Sequence, residues 1–105
     1  MATEPFEIVY AKQIGLHLAA IERKHHLLIG NNIQQQLIHQ PEVATRNRKP
    51  LRQPAAFGAE WELRFGPDNR FRVLYRVEAS ERVRILAIGT KFGNRLRVAN
   101  EEIEL

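Results

Sequence analysis

The feature that most narrows the possible folds is a two-residue alternation running through the second half of the chain. Trp61, Leu63 and Phe65 alternate with Glu60, Glu62 and Arg64. Phe71, Val73, Tyr75 and Val77 alternate with Arg70, Arg72, Leu74 and Arg76, and Val83, Ile85 and Ala87 with Arg84, Leu86 and Ile88. A period of two belongs to strands. Gly66-Pro67-Asp68-Asn69 and Glu78-Ala79-Ser80-Glu81 supply turn residues between the runs. The pattern predicts a three-stranded antiparallel meander.

The same pattern predicts the register, because a one-residue slip turns every side chain to the wrong face. Phe65 should face Phe71, Leu63 should face Val73, and Trp61 should face Tyr75. In the second hairpin Val77 should face Val83, Tyr75 should face Ile85, and Val73 should face Ala87. Trp61 and Tyr75 then belong to the core. The opposite face carries the rows Arg64, Arg72, Ile88; Glu62, Leu74, Leu86; and Glu60, Arg76, Arg84. Arg64 and Arg72 lie directly across from each other, and like charges so placed are destabilising. An anionic partner would relieve that cost, whereas Glu60 and Arg76 form a plain salt bridge.

Ahead of the meander, Phe6–Tyr10 follows Pro5 and is rich in strand formers. Ile14, Leu18 and Ile21 recur at helical spacing, as do Ile29, Ile33 and Leu37 in a pattern from about His25 to His39 that Pro41 stops. A helical hairpin fits better than one helix of nearly thirty residues. Pro41, Pro50, Pro54 and Gly58 mark 41–58 as a connector. The expected architecture is a single α+β domain over 1–105: an N-terminal strand, a helical hairpin and the meander, with the helices packed on one face of the sheet. The acidic tail Glu101-Glu102-Ile103-Glu104-Leu105 is solvated by default, with folding back on the basic face or adding an edge strand as alternatives.

At 105 residues with 44% hydrophobic and 27% charged side chains, the composition is globular and not disordered. There is no cysteine, which removes disulfides, thiolate metal sites and cysteine nucleophiles and fits a reducing compartment. No run approaches the roughly 18 apolar residues of a membrane span, and the acidic start has no apolar signal core. A soluble cytoplasmic protein is expected. Residues 46–97 hold thirteen cations, eleven of them arginine, against five carboxylates, a net of +8. Such a region is either a solvated arginine-rich surface or a face for a polyanion. Four of its cations, Arg46, Arg48, Lys49 and Arg52, sit in the connector. The four histidines show no ligand spacing and read as structural or solvent-facing. There is no Ser-His-acid spacing, no glycine-rich phosphate loop and no HExxH. No metal or cofactor is expected.

Four blocks carry a resemblance. Arg46-Asn47-Arg48-Lys49-Pro50-Leu51, Trp61-Glu62-Leu63-Arg64, Arg70-Phe71-Arg72-Val73-Leu74-Tyr75-Arg76-Val77, and Ile88-Gly89-Thr90-Lys91 with Asn94-Arg95 resemble the RelE/ParE superfamily, the small toxins of bacterial type II toxin–antitoxin systems. The resemblance spans nearly the whole chain and implies a helical hairpin packed on an antiparallel sheet. It implies a cognate antitoxin as partner. It also implies either ribosome-dependent, metal-independent cleavage of messenger RNA, as in RelE-like members, or poisoning of DNA gyrase, as in ParE-like members. An attenuated toxin acting mainly in an antitoxin–operator complex is a third form.

By that resemblance Arg72 matches the arginine that contacts the scissile phosphate in RelE-like nucleases. Lys49 matches the basic residue before the connector leucine, and Lys91 the lysine after the last-strand glycine. Glu60 and Glu62 stand where RelE has lysines, Phe92 where an arginine follows the lysine, and Val98 near a C-terminal tyrosine. Metal-free cleavage needs a base for the 2′-hydroxyl and cations for the growing phosphate charge. Arg72, Arg64, Lys91 and Arg95 are the candidate catalytic residues. Arg46, Arg48, Lys49, Arg52, Arg70 and Arg97 are the candidate nucleic-acid contacts. Glu62 is a possible base, although a role as partner to neighbouring arginines fits it better.

Overall fold

In the computed structural model, which describes residues 4–104, the alternating runs form β3 (Trp61–Phe65), β4 (Phe71–Glu78) and β5 (Arg82–Phe92). The Met-Ala-Thr start and Leu105 lie outside the described residues. Four further strands join them: β1 (Glu7–Tyr10), β2 (Arg48–Pro50), β6 (Arg95–Val98) and β7 (Glu101–Ile103). The sheet order is β2-β3-β4-β5-β6-β7, antiparallel throughout, with β1 pairing in parallel to β5. The sheet is therefore larger than the expected meander. The connector supplies β2 at one edge, and the tail supplies β7 at the other instead of lying in solvent. Ala99 and Asn100, at φ 50° and 66°, make the tight turn between β6 and β7.

The first hairpin has the expected register: Phe65 faces Phe71, Arg64 faces Arg72, Leu63 faces Val73, and Trp61 faces Tyr75. Gly66 at its turn has φ +81°, and an added Cβ would stand 2.7 Å from the Phe71 ring. The second hairpin begins as expected, with Val77 opposite Val83 and Tyr75 opposite Ile85. It then departs. Leu74 pairs with Ala87, so Leu86 is an extra residue in β5, and Val73 faces Ile88 instead of Ala87. This β-bulge reverses the facing of the rest of β5. Ile88, expected on the basic face, becomes core, and Gly89 lies opposite Arg72 in its place.

One face of the sheet is covered by α1 (Ile14–Ala19) and α2 (His26–Leu37), joined through a short 3₁₀ turn at Arg23–His25. Ile14, Ile21, Ile29, Ile33 and Leu37 form one core with Leu63, Phe65, Phe71, Val73, Tyr75, Val83, Ile85 and Ile88. Tyr75 and Phe71 are fully buried aromatic anchors, and the Tyr75 hydroxyl donates to the Pro41 carbonyl at 2.6 Å. Trp61, expected as the anchor, is only partly buried and stacks on Tyr75 with 6.4 Å between ring centroids. It caps the core at its rim, one strand from the β2 edge.

Residues 86–88 of β5 lie between the stretches paired with β1 and with β6, so their backbone groups on that edge need partners. Side chains from the α1 region provide them. Gln13 Nε2 donates to the Leu86 carbonyl at 3.0 Å, and the Ile88 N–H donates to His17 Nδ1 at 3.2 Å. His17 is buried, so here a histidine completes a sheet edge. His26 Nε2 lies 2.9 Å from the carbonyls of both Leu18 and Ile21, closing the end of α1.

The opposite face is not the open basic platform that the alternation suggests. Ala59, Leu74, Leu86, Ala87, Leu96 and Val98 form a second apolar cluster, flanked by Leu51, Ala99 and Ile103. The connector covers part of this face. Residues 51–60 leave β2 as a loop closed by Leu51 N–H to the Glu60 carbonyl and by Gln53 Nε2 to the Ala59 carbonyl. Ala59 is fully buried, and Phe57 reaches His17 edge-on. The expected Glu60–Arg76 bridge is absent. Arg76 and Arg84, opposite each other, share Glu78 at 3.0 and 2.8 Å.

Candidate functional site

The polar end of that face is organised around Glu62. Its position on β3, two residues before Arg64, places both on the same side of the strand. The ladder sets Arg72 across from Arg64. Glu62 Oε1 accepts from Arg64 Nε at 2.6 Å and from Arg72 Nη1 at 3.2 Å. The repulsion expected between the two arginines is therefore answered within the chain. Glu62 is 1% exposed, and its other oxygen, Oε2, is buried with no hydrogen-bond partner among the described residues. Arg72 is also tied through Nε to the Asn69 carbonyl at 2.9 Å. Burial lowers the pKa of Arg72, Glu62 acts to raise it, and Arg64 lowers it further. An arginine so placed still carries its charge.

Beside this triad lies a cleft of about 640 Å³ lined by Glu62, Arg72, Lys91, Asn94, Arg95 and the tail residues Glu102 and Glu104. Lys91 is the penultimate residue of β5, Arg95 opens β6, and the turn between the strands passes through Gly93 at φ +59°. Gly89 lets β6 approach, since an added Cβ would stand 2.5 Å from the Arg97 carbonyl oxygen. Arg95 Nη1 pairs with Glu102 at 3.0 Å, so the acidic tail partly fills the cleft's own charge. The cleft can hold phosphate groups at Lys91 and Arg95 beside a rigid guanidinium at Arg72.

Of the expected catalytic residues, Arg72, Lys91 and Arg95 line this cleft, and Arg64 reaches it through Glu62. Lys49, exposed on β2, lies directly opposite Glu62 in the ladder. The other expected contacts are dispersed. Arg46 and Arg52 are exposed on the connector. Arg48 is buried and holds the end of α2, donating to the Gln36 and Val43 carbonyls at 2.6 and 2.9 Å. Arg70 and Arg97 line a separate hollow with His25 and residues 20–22 that connect the helices. Sequence reasoning missed Asn69, Asn94 and Gly89 as parts of the site, and held the tail against the basic face only as an alternative to a solvated default. The alternation Glu102-Ile103-Glu104 was the available signal for a tail strand.

Among the described residues no three His, Cys, Asp or Glu side chains cluster as metal ligands, and no helix is long and apolar enough to cross a membrane. No family model matches the chain, and no curated protein matches it. Among solved structures, it resembles a chain in the crystal structure of the toxin–antitoxin complex RelBE2 from Mycobacterium tuberculosis. The TM-score is 0.61 at 22% identity, over 83% of this chain and 99% of that one. The chain thus shares its fold with a component of a toxin–antitoxin complex.

Proposed function

We propose that this protein is the toxin of a type II toxin–antitoxin pair and a metal-independent endoribonuclease that cuts messenger RNA at the ribosome. The fold shared with the RelBE2 component supports the first part. The observation that carries the second is Arg72, fixed in mid-strand beside a cleft that also holds Lys91 and Arg95. In this reading the ribose 2′-oxygen attacks the adjacent phosphorus and the P–O5′ bond breaks, giving a 2′,3′-cyclic phosphate and a leaving 5′-oxygen that takes a proton from solvent water. Arg72 stabilises the charge growing on the phosphate oxygens, while Lys91 and Arg95 hold flanking phosphates. Glu62 Oε1 positions Arg72 and Arg64, and its unpartnered Oε2 is the acceptor for the 2′-hydroxyl proton. A cognate antitoxin with an acidic segment would compete for the same cations.

The test is induction in a growing bacterium, with separate readouts of translation and of DNA supercoiling. Translation should stop first. Arg72→Ala should restore growth, and Lys91→Gln and Arg95→Gln should weaken toxicity in part. Thermal melts of the purified variants separate lost chemistry from lost fold. If folded Arg72→Ala remains fully toxic, the ribonuclease reading fails. Glu62's hold on both Arg64 and Arg72 favours a second reading, gyrase inhibition, in which these arginines are structural. Early loss of supercoiling with translation intact would select it.

A further inference from the structure

Apart from Arg48 on β2, whose guanidinium is taken up by the Gln36 and Val43 carbonyls, the arginines of the sheet and its flank divide into two groups. Arg64, Arg72, Arg76, Arg82, Arg84 and Arg95 each pair with a carboxylate of the chain. Arg70 and Arg97 pair with none among the described residues. Each instead lies against an aromatic ring: Arg97 stands 4.5 Å from the Phe92 centroid and Arg70 5.6 Å from that of Phe71. A guanidinium lying over a ring is held in place while its in-plane N–H donors stay free. Both arginines line one hollow of about 130 Å³, on the helix side of the sheet, with His25, Thr90, Asn100 and one carboxylate, Glu22, which pairs with Lys24 at 3.4 Å. That volume exceeds by a few times the roughly 30 Å³ share of one water, the scale of a phosphate group.

The hollow is not isolated from the Arg72 cleft. Lys91 lines both that cleft and a shallow depression over Pro67, Asp68 and Gly93, and Arg70 lines both this depression and the hollow. The cations Arg95, Lys91, Arg70 and Arg97 therefore follow one another around the end of the sheet.

We propose that the Arg70–Arg97 hollow is a second phosphate-binding site, and that a single nucleic-acid strand runs from the Arg72 cleft across Lys91 into it. The strand path rests on the ribonuclease reading, whereas the hollow's affinity for phosphate does not. Phe92, 47% exposed, borders the hollow and offers a stacking surface for the adjoining base.

Two measurements test this on the full chain. In the first, the arginine Nε–H signals are followed by NMR as inorganic phosphate or adenosine 5′-monophosphate is added. Arg70 and Arg97 should shift and saturate before the loop residues Arg46 and Arg52; shifts no larger than theirs overturn the site. In the second, binding of 2′-O-methyl oligonucleotides of two and eight residues, which cannot be cut, is measured by anisotropy. Arg70→Gln/Arg97→Gln should bind the longer one about tenfold more weakly. The salt slope should be shallower by about 1.4, at roughly 0.7 for each lost contact to a single strand, with the shorter one unaffected. Equal binding of the longer oligonucleotide by the variant overturns the strand path. A wild-type chain that binds no oligonucleotide but shows the phosphate shifts overturns the strand path while upholding the site; the ribonuclease reading, which needs the ribosome, is decided separately by the translation readout. Thermal melts that match the wild type establish that the variant is folded.

Discussion

Replacing Glu62 with glutamine keeps the side chain's shape and removes the one carboxylate between Arg64 and Arg72. The Glu62 side chain is 2% exposed, and that of Arg72 is 10% exposed, so water cannot take the anion's place without rearrangement. Two guanidinium charges at a separation of about 5 Å repel by about 3 kcal/mol at an effective dielectric of about 20. Removing one partner of a buried ion pair costs about 3–5 kcal/mol. Arg64, 29% exposed, can swing toward solvent and relieve part of this, so the lower end, about 3 kcal/mol, is expected. For a chain of this size that corresponds to a fall in Tm of roughly 12–24 °C. Thermal melts at low salt measure it. Millimolar phosphate should raise the Tm of Glu62→Gln more than that of the wild type, because a bound anion replaces the missing charge. Removing the second cation as well, in Glu62→Gln/Arg64→Gln, should recover part of the loss, a coupling that a double-mutant cycle reads directly. A melting point within two or three degrees of the wild type, roughly the effect of ~0.5 kcal/mol, would refute the shared-carboxylate account of this site.

Four further outcomes are expected. Tyr75→Phe leaves the Pro41 carbonyl without its buried donor and should cost about 1–3 kcal/mol in urea denaturation. Burial raises the pKa of the Tyr75 hydroxyl, so its ultraviolet titration should appear only with alkaline unfolding. Burial lowers the pKa of His17, so the unfolded chain takes up the proton first as pH falls. The stability this confers is complete above the ordinary histidine value of about 6.5 and declines below it; denaturation midpoints at pH 7.5 and 5.5 should show the decline, and His17→Gln should flatten it. Gly89→Ala forces β6 away from β5, at about 2 kcal/mol, and moving Arg95 with β6 should weaken polyanion binding.

The sequence by itself determined the parts of this protein whose residues interact with near neighbours in the chain. Alternation over Trp61–Val77 specified the first hairpin down to its register, because a strand's facing is a local property and a slip would expose Leu63, Phe65 and Val73 together. The isoleucines of α1 and α2 likewise marked the face they bury. Tertiary structure decided what depends on distant partners. Leu86 carries no local mark of being an extra residue; the bulge exists because Ile88 fits the helix-side core while Leu86 and Ala87 fill the cluster with Leu96 and Val98. Arg48 reads as a loop cation until the end of α2 lies within reach of its guanidinium. The charge of the site was decided in the same way. A net +8 over residues 46–97 looks like an exposed field, yet folding brings Glu7 to Arg82 and Glu102 to Arg95 from outside that segment, and points Glu62 at both Arg64 and Arg72. Net charge adds along the chain, but the field a ligand meets depends on which charges the fold has already paired.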